Sequence, residues 1–147
     1  MNDNYCFSVG CIVRRKKQVL LVRHTYGRAK GKLLILGGFC HENELPEEAA
    51  VREVFEETSI TAEVKRMLGI RCDRKTWYLL FEMDYIDGIS TSDMNENSEV
   101  LFCEISDALT RNDCTEMTKV SLRKILDDSA DYLYSDIEYK AHKGSTV

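Results

Sequence analysis

One stretch of this chain has little conformational choice. The run Glu47-Glu-Ala-Ala-Val-Arg-Glu-Val-Phe-Glu-Glu57 consists almost wholly of strong helix formers. Pro46, just ahead of it, suits a first helical turn, where a missing N–H costs little. At helical spacing Ala50, Val51, Val54, Phe55 and Thr58 make a stripe that predicts the buried face. The segments before the helix are strand-like instead. Tyr5 to Val13 and Gln18 to Arg23 read as strands joined by the polar turn Arg14-Arg-Lys-Lys17, a hairpin whose turn has neither Gly nor Asn. Glycines 27, 31, 37 and 38 then mark a loop, a short strand at Leu33 to Leu36 and a tight turn.

Past the helix, Ala62 to Ile70 and Thr76 to Tyr85 are strand-like, with Arg71 to Lys75 as a hairpin turn between them. The alternation of Trp77, Leu79, Phe81 and Met83 predicts a strand buried on one face. Asp87 to Asn97 is an acidic loop and Val100 to Ile105 a short strand. Thr115 to about Leu126 is an amphipathic helix with Met117, Val120, Leu122, Ile125 and Leu126 as its apolar positions. The pattern predicts an α+β chain, an α/β/α sandwich with a mixed central sheet between helices. One proline and eight glycines argue against long unstructured stretches. The length of 147 residues fits a single domain over 1–147, with the tail after about 136 expected to fray.

Charge and cysteine usage narrow the partners. Twenty-five acidic against twenty basic residues, a net charge of -5, argue against nucleic acid, whose phosphates need an excess of Lys and Arg. A small phosphorylated molecule stays compatible, because bound cations invert the local charge of an acidic site. The start Met1-Asn-Asp-Asn-Tyr-Cys6 does not read as a signal peptide, and no apolar run approaches ~18 residues, so no membrane span is expected. Six scattered cysteines without a CxxC read as reduced thiols of a cytoplasmic protein, and a zinc site is not expected.

The chemistry concentrates between Gly38 and Ile60. On a helix, Glu53, Glu56 and Glu57 stand at i, i+3 and i+4, so three carboxylates crowd one stripe with Arg52 beside it. A solvated acidic face is the plain reading of such a stripe. The Gly37-Gly38 pair just upstream and Glu44 in the connecting loop favour a site for a hard divalent cation such as Mg²⁺, which takes carboxylate and carbonyl oxygens.

At this point a resemblance becomes specific. Gly38, Glu44, Arg52-Glu53, Val54, Glu56-Glu57, Ser59 and Ile60 follow the 23-residue pattern of the Nudix (MutT-like) hydrolase family. Every charged position matches at its spacing. Four positions depart: Ser59 replaces a glycine after the helix, Asn43 a glycine before Glu44, Leu36 a frequent proline and Leu33 a frequent tryptophan. All four touch loop shape and leave the acids in place.

The resemblance implies the Nudix fold and Mg²⁺-dependent cleavage of a diphosphate linkage in a nucleoside diphosphate derivative, with Mn²⁺ as a substitute ion. Glu56 and Glu57 would be the main metal ligands, Glu53 a further ligand or the base, and the Gly37 carbonyl a completing ligand. Arg52 would hold the glutamates, and Glu44 would support the loop or a second metal. In several members the base comes from a downstream loop, which points to Glu96 or Glu99. Arg23, Tyr26, Arg28 and Tyr78 are candidates for binding the nucleotide, although a polar loop needs no function and an outward strand residue beside Trp77 is the plainer reading of Tyr78. Positions 74 to 76 are Arg, Lys and Thr, where some ADP-ribose hydrolases have a proline, which leans toward nucleoside triphosphates or related nucleotides. ADP-ribose and dinucleoside polyphosphates are the alternatives, and a non-catalytic nucleotide sensor is a further one. Homodimers are common in the family.

Overall fold

A computed structural model describes residues 6–127 and 132–135 of the chain, so the expected fraying beyond 136 lies outside the described residues. Strand β1 (Cys6–Arg15) and β2 (Gln18–His24) form the expected hairpin, pairing Arg14 with Val19 and Arg15 with Gln18. Lys16 at its tip takes φ 58°, the left-handed conformation that Gly or Asn adopts more cheaply. Beyond that tip the two strands part. Into the fork go β3 (Leu33–Leu34), antiparallel to β2, and β4 (Leu36–Phe39), antiparallel to β1.

The Gly37-Gly38 pair is therefore not the tight turn that the sequence suggests. Both glycines lie inside β4, opposite Gly10 and Val9, and neither has positive φ. Close approach explains them instead, to backbone at Gly37 and to the end of a side chain at Gly38. A Cβ on Gly37 would run into the Val9 carbonyl, and one on Gly38 into the Glu53 carboxylate.

Helix α1 (Pro46–Thr58) leads into β5 (Thr61–Cys72), β6 (Thr76–Asp87) and β7 (Asn97–Glu104). Then follow α2 (Ile105–Thr110), which the sequence reading lacked, α3 (Glu116–Asp127) and β8 (Tyr132–Ser135). Among the described residues, eight strands make one mixed sheet in the order β3-β2-β1-β6-β5-β8, with β4 against β1 and β7 against β2. The β1–β6 and β5–β8 ladders are parallel, and the others antiparallel.

Two cores flank the sheet, as the sandwich reading requires. Val9, Cys11, Val13, Phe81 and Met83 pack against Ala49, Ala50 and Val54 of α1. On the opposite face Ile12, Leu68 and Leu80 cluster with Ala108 of α2 and with Leu122 and Ile125 of α3. The buried line of α1 is thus rotated from the expected one. Ala49 and Glu57 are buried, whereas Val51 and Phe55 face solvent. Small side chains bring the helix close to the sheet, and that approach leaves the larger ones outside. Strand β6 lies between β1 and β5, so Leu80 to Met83 are buried on both faces and Trp77 at its start is exposed. On α3 the buried positions include Thr118, Ser121, Leu122 and Ile125, while Met117, Val120 and Leu126 are exposed. No helix among the described residues is long and apolar enough to cross a membrane.

Candidate active site

The acidic stripe of α1 faces the glycines of β4 because both ends of the helix are fixed. At its start Leu45 is the N-cap and has no oxygen to offer, but Glu48 Oε1 accepts from the Leu45 N–H at 3.0 Å. At its exit Ser59 adopts φ 64° and donates its N–H to the Phe55 carbonyl at 2.8 Å. This is the left-handed position that the family pattern fills with glycine. Asn43, at the other glycine position, is likewise left-handed at φ 62°.

Arg52 is the hub of the site. Its Nε and Nη2 grip Glu44 at 2.7 and 3.0 Å, Nη2 also donates to the Phe39 carbonyl at 3.0 Å, and Nη1 reaches Glu53 at 2.9 Å and Glu56 at 3.1 Å. Glu44 in turn accepts from the His41 N–H at 2.9 Å. The guanidinium beside it holds the Glu44 carboxyl down at about 2. Arg52 therefore ties the loop, β4 and the helix acids together.

Glu57 is in the opposite electrostatic situation. It is buried on the β4 side of the helix, and burial, reinforced by the charges of Glu53 and Glu96, pushes its carboxyl up to about 9. Glu53 is also raised, by burial first, and shares a hydrogen bond with Glu57. A half-buried and a buried carboxyl thus meet, and of these two only Glu53 is bonded to Arg52. Among the described residues no three acidic, His or Cys side chains converge into a finished ligand set. Arg52 Nη1, bonded to both Glu53 and Glu56, holds those two carboxylates. The donor chemistry is nonetheless one that suits a hard cation, and a divalent ion held there would relieve the conflict at Glu57.

The loop before β7 is strapped onto the end of α1. Asn97, buried, donates from Nδ2 to the Glu57 carbonyl at 3.0 Å, and Thr91 N–H bonds to the Thr58 carbonyl at 2.8 Å. Asp93 Oδ1 accepts from the Asn95 and Asn97 N–H groups. Glu96 is thereby placed on a cleft of about 260 Å³ that also has Glu57, Gly37, Gly38, Tyr26 and His24 on its walls. The rings of His24 and Tyr26 lie against each other at a tilt, with centroids 4.4 Å apart.

The sequence-derived candidates divide accordingly. Glu53, Glu56, Glu57, Arg52 and Gly37 gather at one place, with Glu96 and Tyr26 beside them. Tyr78 lines the far wall of the cleft, inward across Gly10 rather than outward beside Trp77. Glu99 is turned away, bonded to Arg23 Nε at 2.9 Å. Arg23 itself also grips the Gly31 carbonyl and Asp113, so its guanidinium fastens loops together. Arg28 is exposed in the 25–32 loop and does not line the cleft. Phe39, Ser8 and Met117 line the cleft without having been singled out as site residues. Phe39, directly after the glycine pair, is the one that sequence position could have flagged.

Comparison with known proteins gives the family and the fold. The NUDIX domain family matches residues 4–123. A curated ADP-ribose pyrophosphatase of Methanocaldococcus jannaschii is 36% identical over 63 residues, 43% of this chain and 37% of that protein. Putative nudix hydrolase 1 of Caenorhabditis elegans is 30% identical over 82 residues, 53% of this chain and 22% of that protein. The chain thus spans about a third or less of the length of these two relatives. Among solved structures, a NUDIX hydrolase from Nitrosomonas europaea superposes with TM-score 0.81 at 22% identity, covering 92% of this chain and 80% of that one. An ADP-ribose pyrophosphatase from Streptococcus suis gives TM-score 0.67 at 16% identity, covering 89% and 98%. With its motif acids, its sheet and its family match in agreement, the chain belongs to the NUDIX family.

Proposed function

We propose that this protein hydrolyses a diphosphate linkage in a nucleoside diphosphate derivative, using Mg²⁺ or, in its place, Mn²⁺. The observation that supports this most is the buried Glu57, whose carboxyl sits among Glu53 and Glu96 at the mouth of a ligand-sized cleft. Glu53, Glu56, Glu57 and the Gly37 carbonyl would hold the metal. When bound, the ion neutralises diphosphate oxygens, acidifies water and stabilises the departing phosphate.

The chain's own residues do the rest. Arg52 keeps Glu53 and Glu56 on the helix face that looks toward Gly38. Glu96 is the base, taking the proton of the attacking water on a carboxylate oxygen. Its claim is stronger than that of Glu99, whose carboxylate is occupied by Arg23. Tyr26, backed by His24, offers an exposed aromatic face for the nucleobase.

Nucleoside triphosphates and related nucleotides are the first substrates to examine, because the proline position of some ADP-ribose hydrolases is filled by Arg74, Lys75 and Thr76. ADP-ribose is the second reading, favoured by the similarity to the M. jannaschii protein. The test is a panel of nucleoside triphosphates, ADP-ribose, nucleotide sugars and dinucleoside polyphosphates with Mg²⁺, products being resolved by chromatography. Phosphate-bearing products that vanish on chelation, and in the Glu57→Gln protein, are the expected result. No turnover of any compound would end the hydrolase reading, and tight binding without cleavage would favour a nucleotide sensor.

A further inference from the structure

The cleft does not stop at Tyr78. A hollow of about 210 Å³ continues from it, sharing Ser8, Tyr78 and Met117 as walls, and opens past Arg71 into another of about 360 Å³ between β5, β6 and α3. Strand register shows that this is one straight path over the sheet. Phe39, Ser8, Tyr78 and Arg71 stand opposite one another on β4, β1, β6 and β5. At ~4.8 Å per strand the row spans about 14 Å. One end of the path is acidic, at Glu57 and Glu96, and is where a cation would be held.

The other end has cations at hand, and each acid there has partners of its own, Asp73 lying also in the field of Arg71. Asp73 Oδ1 accepts from the Lys75 and Thr76 N–H groups at 2.7 and 2.6 Å, and Glu116 pairs with Arg123 at 3.5 Å. Arg71 is exposed there, with a thioether, Met117 Sδ at 3.5 Å, as its hydrogen-bond partner. A sulfur is a weak acceptor for a guanidinium, which suits a planar carboxylate or phosphate far better. Lys124 lines the same hollow. Tyr26 and His24 flank the acidic end and leave the Arg71 end for whatever the diphosphate joins to the nucleoside.

We infer that Arg71 makes the groove beyond Tyr78 selective for substrates whose distal group bears a negative charge. The inference rests on the hydrolase reading for the orientation of the ligand, and it deepens that reading by naming the substrate class.

A matched pair of ligands isolates the charge: UDP-glucose and UDP-glucuronate differ at the distal sugar by one carboxylate. Binding is measured by calorimetry without divalent cation, and KM and kcat with Mg²⁺, for the unaltered protein, Arg71→Met and Arg71→Lys. The unaltered protein should bind the glucuronate about tenfold tighter, as a charge-assisted bond implies. Arg71→Met, which keeps the apolar stem, should erase that preference and raise KM for UDP-glucuronate rather than lower kcat. Arg71→Lys should retain part of the preference. Equal binding of the two ligands by the unaltered protein, or a preference that survives Arg71→Met, overturns this selectivity. Charge-dependent binding with no turnover of either ligand would keep the selectivity and remove the hydrolase reading instead.

Discussion

Arg52 makes five hydrogen bonds from one guanidinium, to Glu44, Glu53, Glu56 and the Phe39 carbonyl. A lysine keeps the charge and loses the fork, so it can satisfy one or two of these partners at once. Arg52→Lys should therefore lower kcat/KM by about 10- to 100-fold, the range for residues that orient metal ligands. Full activity in that protein, at unchanged metal requirement, would show that the hub is dispensable. The loop acids separate just as sharply. Glu96→Gln should cost roughly a hundredfold in kcat, as loss of a general base does. Glu99→Gln should stay within about threefold, because its partner Arg23 keeps Asp113 and the Gly31 carbonyl. Comparable losses in the two proteins would argue against Glu96 as the base.

Single elements explain which parts of the chain were legible in advance. Helix α1 was readable because its formers, its Pro46 and its acids agree on one conformation. Its burial was not, since side-chain period alone does not reveal how closely Ala49 and Ala50 bring it to the sheet. The sequence of β4 suggests a turn because glycine pairs usually mark one, and the cause here is contact with Val9 and Glu53 from distant parts of the chain. Gly38→Ala should accordingly displace the Glu53 carboxylate and reduce activity about tenfold or more, at little cost to helix content by circular dichroism. Ser59 was flagged by the sequence, and its left-handed φ of 64° has the conformation expected there. Ser59→Gly should stabilise the fold by about 1 kcal/mol in denaturant unfolding, because glycine adopts this conformation without a Cβ penalty. A lower midpoint would mean that the serine side chain contributes more than the strain costs. The pairing of Glu96 with Glu57 was half legible: loop acids were visible, but Asn97, which pins that loop to α1, gave no signal in the sequence.

At the scale of the whole molecule, the acidic site couples folding to pH and metal. Glu57 sits at about 9 in the fold, against an ordinary 4.5. A group raised in this way favours the folded state at pH below its ordinary value, and that contribution is lost as pH rises toward 9. Without metal, the melting temperature should fall between pH 5 and pH 9, and Glu57→Gln should flatten the fall. If the proposed site takes Mg²⁺ on its ionised carboxylates, the ion should raise the melting temperature more at pH 9 than at pH 5. An equal rise at the two pH values, measured by differential scanning calorimetry, would separate the ion from this site.

The parallel β1–β6 ladder joins Cys6 through Arg14 to Thr76 through Asp84, partners some seventy positions apart. Its closure confines everything between, including β4 and α1, and such distant pairings are slow to form. Refolding from denaturant should therefore proceed in milliseconds to seconds rather than microseconds. Helical signal should recover before affinity for any nucleotide does, because the cleft needs Ser8 and Tyr78 side by side. The ladder that gives the groove its floor thus also sets when, during the chain's self-assembly, recognition begins.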